Sequence, residues 1–160
     1  ALTKVLRNNI EGVSDGISFG SSTKPDSLAQ LLSQEETRLS RLNRKPLVEV
    51  SAEDFAPHFP PKTLDSIAAI TTEACLNAVK YSPAGAEIVI SVRPHLGWTV
   101  ITITNPVSKP TSTNADMSSG IGMASMSRIA ATIDARVDAK LEHNQWELSL
   151  FLPPSTQKAG

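Results

Sequence analysis

The run Thr72-Glu73-Ala74-Cys75-Leu76-Asn77-Ala78-Val79-Lys80-Tyr81-Ser82 decides how the rest of the chain is read. The spacing of four and then three puts Glu73, Asn77 and Lys80 on one stripe of a helix. An acid, a carboxamide and a cation on one stripe suit a metal bound to phosphates. Asn77 can offer a carbonyl oxygen to Mg2+, an ion that takes few protein ligands and keeps waters and phosphate oxygens. Lys80 can neutralise a phosphate as a point charge. Glu73 can orient a metal-bound water or accept a proton. Forty residues after Lys80, within Ser118-Ser119-Gly120-Ile121-Gly122-Met123, a glycine pair opens a second helix, which outlines a phosphate cradle. An arbitrary helix with Glu73 and Lys80 seven apart would more simply carry a surface ion pair bridged through Asn77. The glycine pair in its place tilts the reading toward a nucleotide site.

Working outward, Pro60-Pro61 predicts the start of a long helix over about 62–82, which Pro83-Ala84-Gly85 ends. Its other face, Leu64, Ile67, Ala68, Thr71, Cys75 and Ala78, can pack on a sheet. Upstream, Asp26 or Ser27 can cap a helix, with Gln30 in capping-box position. Leu28, Leu31, Leu32, Glu35, Leu39 and Leu42 form its stripe, and Asn43-Arg44-Lys45-Pro46 ends it. Leu47-Val48-Glu49-Val50 reads as a short strand. Downstream, 87–92 and 98–103 alternate as strands about a turn at Arg93-Pro94-His95-Leu96-Gly97. Residues 106–118 form a loop without periodicity. A helix from about 120 carries Met123, Met126, Ile129, Ala130 and Ile133, with Met123 and Met126 as core residues. Strands at about 135–141 and 145–152 follow, joined by Glu142-His143-Asn144. This order predicts an α+β fold, a two-layer sandwich in which helices cover a mixed, mostly antiparallel sheet.

Composition narrows the function classes. The chain has 160 residues, 40% of them hydrophobic, enough for one domain with a real core. A net charge of −1 implies neither a nucleic-acid patch nor a polybasic membrane surface. The single cysteine, Cys75, excludes an intrachain disulfide and reads as a small core residue rather than a reactive thiol. No apolar run is long enough to span a bilayer, and the start Ala1-Leu2-Thr3-Lys4 has no signal-peptide pattern. Residues 1–25 read as the end of a preceding helical region and a linker, with a frayed terminus as the alternative, and without an initiator Met the chain is expected to be a piece of a longer protein. Residues 26–153 form the domain and 154–160 a tail.

The run Glu73-Ala-Cys-Leu-Asn77-Ala-Val-Lys80-Tyr81-Ser82 resembles the N box of sensor histidine kinases. These belong to the wider superfamily of gyrase, heat-shock chaperone, MutL and histidine kinase ATP-binding domains. Gly120-Ile121-Gly122-Met123, followed by Arg128 and Ile129, is similar to the family's second glycine box. Trp146-Glu-Leu-Ser-Leu-Phe-Leu-Pro153 is similar to its last strand. The resemblance covers about residues 26–153 and is nearest to the short-lid subfamily, which includes nitrate-sensor-like kinases. It implies ATP and Mg2+ as cofactors, with γ-phosphoryl transfer to a histidine on a separate dimerisation domain and a response regulator as the next partner. It also implies Asn77 as Mg2+ ligand, and Lys80, Tyr81 and the amides from Ser119 to Met123, through Gly120, Ile121 and Gly122, at the nucleotide. The fragment is expected to be monomeric and cytoplasmic, without membrane contact of its own.

One position departs from the pattern. The family strand ends in Asp-x-Gly-x-Gly, whose Asp accepts from the adenine amino group, whereas here it ends in Thr104-Asn105-Pro106-Val107. Asn105 can accept the same bond without a charge, at a cost of about 1 kcal/mol. His58, His95 and His143 lie in a loop and in turns, and none has the helical, acid-followed setting of a phospho-acceptor. Two alternatives stay open. One is an anti-sigma-factor-type serine kinase, which shares the motifs. The other, motivated by Asn105-Pro106, is a nucleotide-sensing or docking module without kinase activity.

Overall fold

In the first helix, α1 (Leu28–Arg41), the chain's capping chemistry is visible atom by atom. Ser27 adopts an extended backbone and its hydroxyl accepts from the Gln30 amide. The Gln30 side chain reaches back to the amide of Asp26 rather than to that of the cap residue. Arg38 and Arg41 in the last turn complement the negative end of the helix dipole. The computed structural model describes residues 24–51, 58–108 and 121–154, and of Ile121 the backbone alone. The expected preceding helix and linker, most of the 106–118 loop, Ser119, Gly120 and the end of the tail lie outside the described residues.

Seven more elements follow: β1 (Lys45–Val50), α2 (Pro61–Tyr81), β2 (Glu87–His95), β3 (Trp98–Pro106), α3 (Ile121–Ala131), β4 (Arg136–Glu142) and β5 (Gln145–Leu152). The sheet order is β1-β2-β3-β5-β4. β1 runs parallel to β2, and every other pairing is antiparallel. This is the expected mixed, mostly antiparallel α+β architecture.

Three strands run further than their alternation predicts, each through a proline. β1 begins at Lys45 and includes Pro46, β2 continues through Pro94 to His95, and β3 continues to Pro106. Proline lacks a ladder donor, so it fits a strand where one side has no neighbour. β1 is an edge strand. Its pairing with β2 stops at Val50↔Val92, so β2 has no β1 neighbour beside Pro94. The β2–β3 ladder starts at Val89↔Thr104, so β3 has only β5 beside Pro106. The β2–β3 turn therefore shrinks to Leu96-Gly97, both at positive φ, and His143-Asn144 make the same kind of turn between β4 and β5. Two central residues at positive φ match the twist of the flanking strands.

Alternation then decides the core. Ile88, Ile90 and Val92 of β2, Ile101 and Ile103 of β3, and Leu148, Leu150 and Leu152 of β5 all point to one face. Leu31 and Leu39 of α1, Ile67 and Ile70 of α2, and Met126 of α3 are buried with them in a single cluster. Truncating one of these, Ile90→Ala for instance, would cost about 2–5 kcal/mol, because transfer and cavity terms add. On the other face a Thr102–Ser149 hydroxyl pair at 3.3 Å and Arg136 over the Phe151 ring at 5.2 Å bridge neighbouring strands. Among the described residues no helix is long and apolar enough to cross a membrane.

Candidate functional site

Helix α2 carries the predicted stripe and the core face at once, because 21 residues at 3.6 per turn leave room for both. Ile67, Ile70, Ala74, Cys75 and Ala78 are buried, while Glu73 and Asn77 are half-buried and Lys80 is exposed. Glu73 and Asn77 face the first turn of α3. A methyl group placed on Gly122 would lie 3.2 Å from Oε2 of Glu73 and 3.5 Å from Nδ2 of Asn77. The two motifs, 45 positions apart in the chain, thus meet, and glycine allows the approach. Met123, next to Gly122, is half-buried against the core, and Met126 is fully buried. Ile121 opens α3, whereas Ser119 and Gly120 fall outside the described residues.

Lys80 makes no ion pair with Glu73. Its Nζ sits 5.2 Å from the centre of the Tyr81 ring, a cation–π contact at the last turn of α2. That turn is held from two sides. The Arg44 guanidinium donates to Ser82 Oγ at 2.9 Å, to the Val79 carbonyl at 2.8 Å and to the Ser82 carbonyl at 3.0 Å. The Ser108 amide donates to the Tyr81 carbonyl at 2.8 Å, and the Ser108 hydroxyl reaches it at 3.3 Å. Carbonyls that a helix end leaves without partners are thereby satisfied, and the Lys80-Tyr81 turn stays wound.

Asn105 lies near the end of β3, paired with Trp146 of β5, and is 1% exposed. Its Nδ2 donates to the Pro106 carbonyl at 2.9 Å, which fixes the carboxamide, since only the NH₂ can face a carbonyl. Its Oδ1 is the one buried side-chain polar atom among the described residues that has no hydrogen-bond partner. An orphaned buried acceptor costs about 1–3 kcal/mol, so a donor from outside the chain is the economical explanation.

Other candidates resolve simply. Cys75 is buried, and burial followed by the nearby Glu35 charge pushes its thiol far above the ordinary range, so it is an inert core residue. His58, His95 and His143 are all exposed, and Arg128 is exposed in the last turn of α3. No group of three or more His, Cys, Asp and Glu converges among the described residues. Arg44 and Ser108 escaped the sequence reading, because their bonds join residues distant in the chain.

No protein-family model and no curated protein matches the chain. Solved structures do. The histidine kinase domain of a blue-light activated histidine kinase from Erythrobacter litoralis aligns with a TM-score of 0.64 at 16% identity, over 88% of this chain and 68% of that one. Histidine kinase ThkA, in a complex with its response regulator protein TrrA, aligns with a TM-score of 0.65 at 12% identity, over 82% and 42%. Full-length ShkA in complex with AMPPNP aligns with a TM-score of 0.65 at 17% identity, over 84% and 32%. The chain has the histidine kinase catalytic fold. Within that fold, the α2–α3 junction and the end of β3 carry the residues that the resemblance singled out. The chain spans well under half of the ThkA and ShkA chains it matches.

Proposed function

We propose that this chain is the ATP-binding catalytic domain of a two-component sensor histidine kinase. The observation that carries the proposal is the junction of Gly122 with Glu73 and Asn77, a close approach that leaves two polar groups beside a helix start. The orphaned Oδ1 of Asn105 supports it from the other end of the site. Bound Mg2+ would offset the charge of the ATP phosphates, which is what phosphoryl transfer chiefly requires.

The chain's own residues would divide the work. Asn77 would offer its carboxamide oxygen to Mg2+. Lys80 would leave the Tyr81 ring for a phosphate, with Tyr81 beside it. Glu73 would orient a water or accept a proton during transfer. Amides from Ser119 through Gly120, Ile121, Gly122 and Met123 would hold phosphate at the start of α3. Asn105 Oδ1 would accept from the adenine amino group. The acceptor would be a histidine on a separate dimerisation domain of the same receptor, and a response regulator would take the phosphoryl group from it. ATP supply implies a cytoplasmic location.

Titration of the domain with ATP and ADP, with and without Mg2+, tests this reading. Saturable binding is expected, with the Mg2+-dependent part lost in Asn77→Ala at unchanged melting temperature. An Asn77→Ala variant that still binds Mg-ATP normally would sink the site assignment. No binding up to millimolar nucleotide would favour a docking module, the reading that the uncharged Asn105-Pro106 supports. Acid-stable phosphate on a partner protein would favour a serine kinase instead.

A further inference from the structure

Glu35 occupies a leucine's place. The buried stripe of α1 reads Leu28, Leu31, Leu32, Glu35 and Leu39, and Glu35 is only 3% exposed in its middle. A carboxylate there is expensive unless both oxygens are occupied, and both are. Oε1 accepts from Arg38 Nη1 at 2.6 Å, and Oε2 accepts from Thr72 Oγ1 at 2.7 Å. Arg38 Nη1 also approaches Thr72 Oγ1 at 3.4 Å. The Cys75 thiol, three residues on from Thr72, lies within reach of the charge of the same carboxylate.

Replacing such a group by an apolar side chain of similar volume is often neutral or stabilising, so stability alone does not explain it. Geometry does. A leucine would pack against α2 equally well through small rotations and slides of the helix. The directional bond to Thr72 resists both movements, at the turn from which Glu73 projects. Glu73 Oε2 lies 3.2 Å from where a Cβ on Gly122 would be, so a turn of α2 about its axis would change this approach directly.

We infer that Glu35 is a positioning residue, which sets the rotation of α2 through Thr72 and so places Glu73 and Asn77 against Gly122. The inference takes its functional meaning from the nucleotide site proposed above. Arg38 serves as the solvent-side partner, with a side chain 38% exposed that can return to water when Glu35 is removed.

Two variants of the full chain test it: Thr72→Val, which deletes one hydroxyl at constant shape, and Glu35→Met, which keeps the volume. Nuclear magnetic resonance would follow the Gly122 amide and the Asn77 carboxamide without nucleotide, beside thermal unfolding and Mg-ATP titration. Both resonances are expected to move in both variants. Melting is expected to stay near wild type in Glu35→Met, which removes the carboxylate altogether, and to fall in Thr72→Val, which leaves Oε2 without a donor. Mg-ATP binding is expected to weaken about tenfold in both, as misplacement of site groups does. Glu35→Gln, which can still accept from Thr72, should restore most of the binding. Unmoved Gly122 and Asn77 resonances in Thr72→Val would overturn the inference and leave Glu35 a packing residue. Loss of binding only in proportion to lost stability would overturn it too. Resonances that move in both variants, in a protein whose wild type binds no nucleotide, would leave the positioning intact and remove the kinase reading instead.

Discussion

Gly122 faces Glu73 so closely that a single methyl group on the glycine would stand 3.2 Å from the carboxylate oxygen Oε2. The obstacle is the far end of a flexible side chain, so Gly122→Ala can be accommodated by moving Glu73. Alanine is also the better helix former, by about 1 kcal/mol. The variant should therefore melt no lower than wild type while binding Mg-ATP about tenfold more weakly, a cost of about 1.4 kcal/mol. Paired calorimetric and thermal measurements check this, and a loss of both properties would mean that the glycine serves packing.

Asn105→Leu separates recognition from stability in the same way. The change removes the orphaned Oδ1 and its desolvation penalty, together with the one bond to the Pro106 carbonyl. Stability should hold or rise by up to about 1 kcal/mol, because a lost acceptor without a partner costs nothing. ATP and ADP affinity should fall at least as far as in Gly122→Ala. Urea midpoints and nucleotide titration on one sample give both numbers, and undiminished affinity would remove Asn105 from the adenine pocket.

The legible part of this molecule is its periodicity, and the illegible part is what joins distant segments. The α2 stripe, the core faces and the order of elements follow from spacings of three, four and two, which one segment carries by itself. Pro46, Pro94 and Pro106 read as breakers because a sequence does not state which side of a strand lacks a neighbour. Glu35 is visible as a member of the α1 stripe, but its partner Thr72 lies 37 positions away and nothing local names it. Arg44 looks like a helix end in sequence, whereas its contacts lie 35 and 38 positions on. Asn105 was readable as a neutral acceptor, and the Pro106 carbonyl adds which way its carboxamide faces.

Arg44→Ala removes the clamp on the last turn of α2. Two carbonyls and the Ser82 hydroxyl lose a charged donor, and Ser82 is buried. A loss of about 2 kcal/mol is expected from bonds to a charged group. Lysine offers no planar fork, so Arg44→Lys should recover less than half of it. Denaturant midpoints decide the matter, and a neutral Arg44→Ala would show that water caps the turn equally well.

Cys75 gives the domain an alkaline limit. Burial, with the Glu35 charge beside it, raises the thiol well above its ordinary value of 9.0. The folded state therefore keeps a proton that the unfolded chain releases. The stabilisation is complete below the ordinary value and is lost as pH climbs past it. Unfolding free energy should fall above pH 9.0, with a steeper slope for wild type than for Cys75→Ala. Equal slopes in denaturant titrations across that range would mean that the thiol ionises freely in the fold.

The parallel pairing of β1 with β2 carries a kinetic consequence. The hairpins β2–β3 and β4–β5 close over two residues each, whereas Lys45 meets Glu87 only after α2 has been crossed. Short closures form early and long ones late. The α1–β1 arm should thus be the last piece to attach and the first to exchange its amide hydrogens in the native state. Glu35 travels with that arm, so each excursion of α1 would release the helix that holds Glu73 and Asn77. A contact that docks α1 from outside would then act as a throttle on the site without touching it. Faster exchange in β2 or β3 than in α1 would contradict this order of assembly.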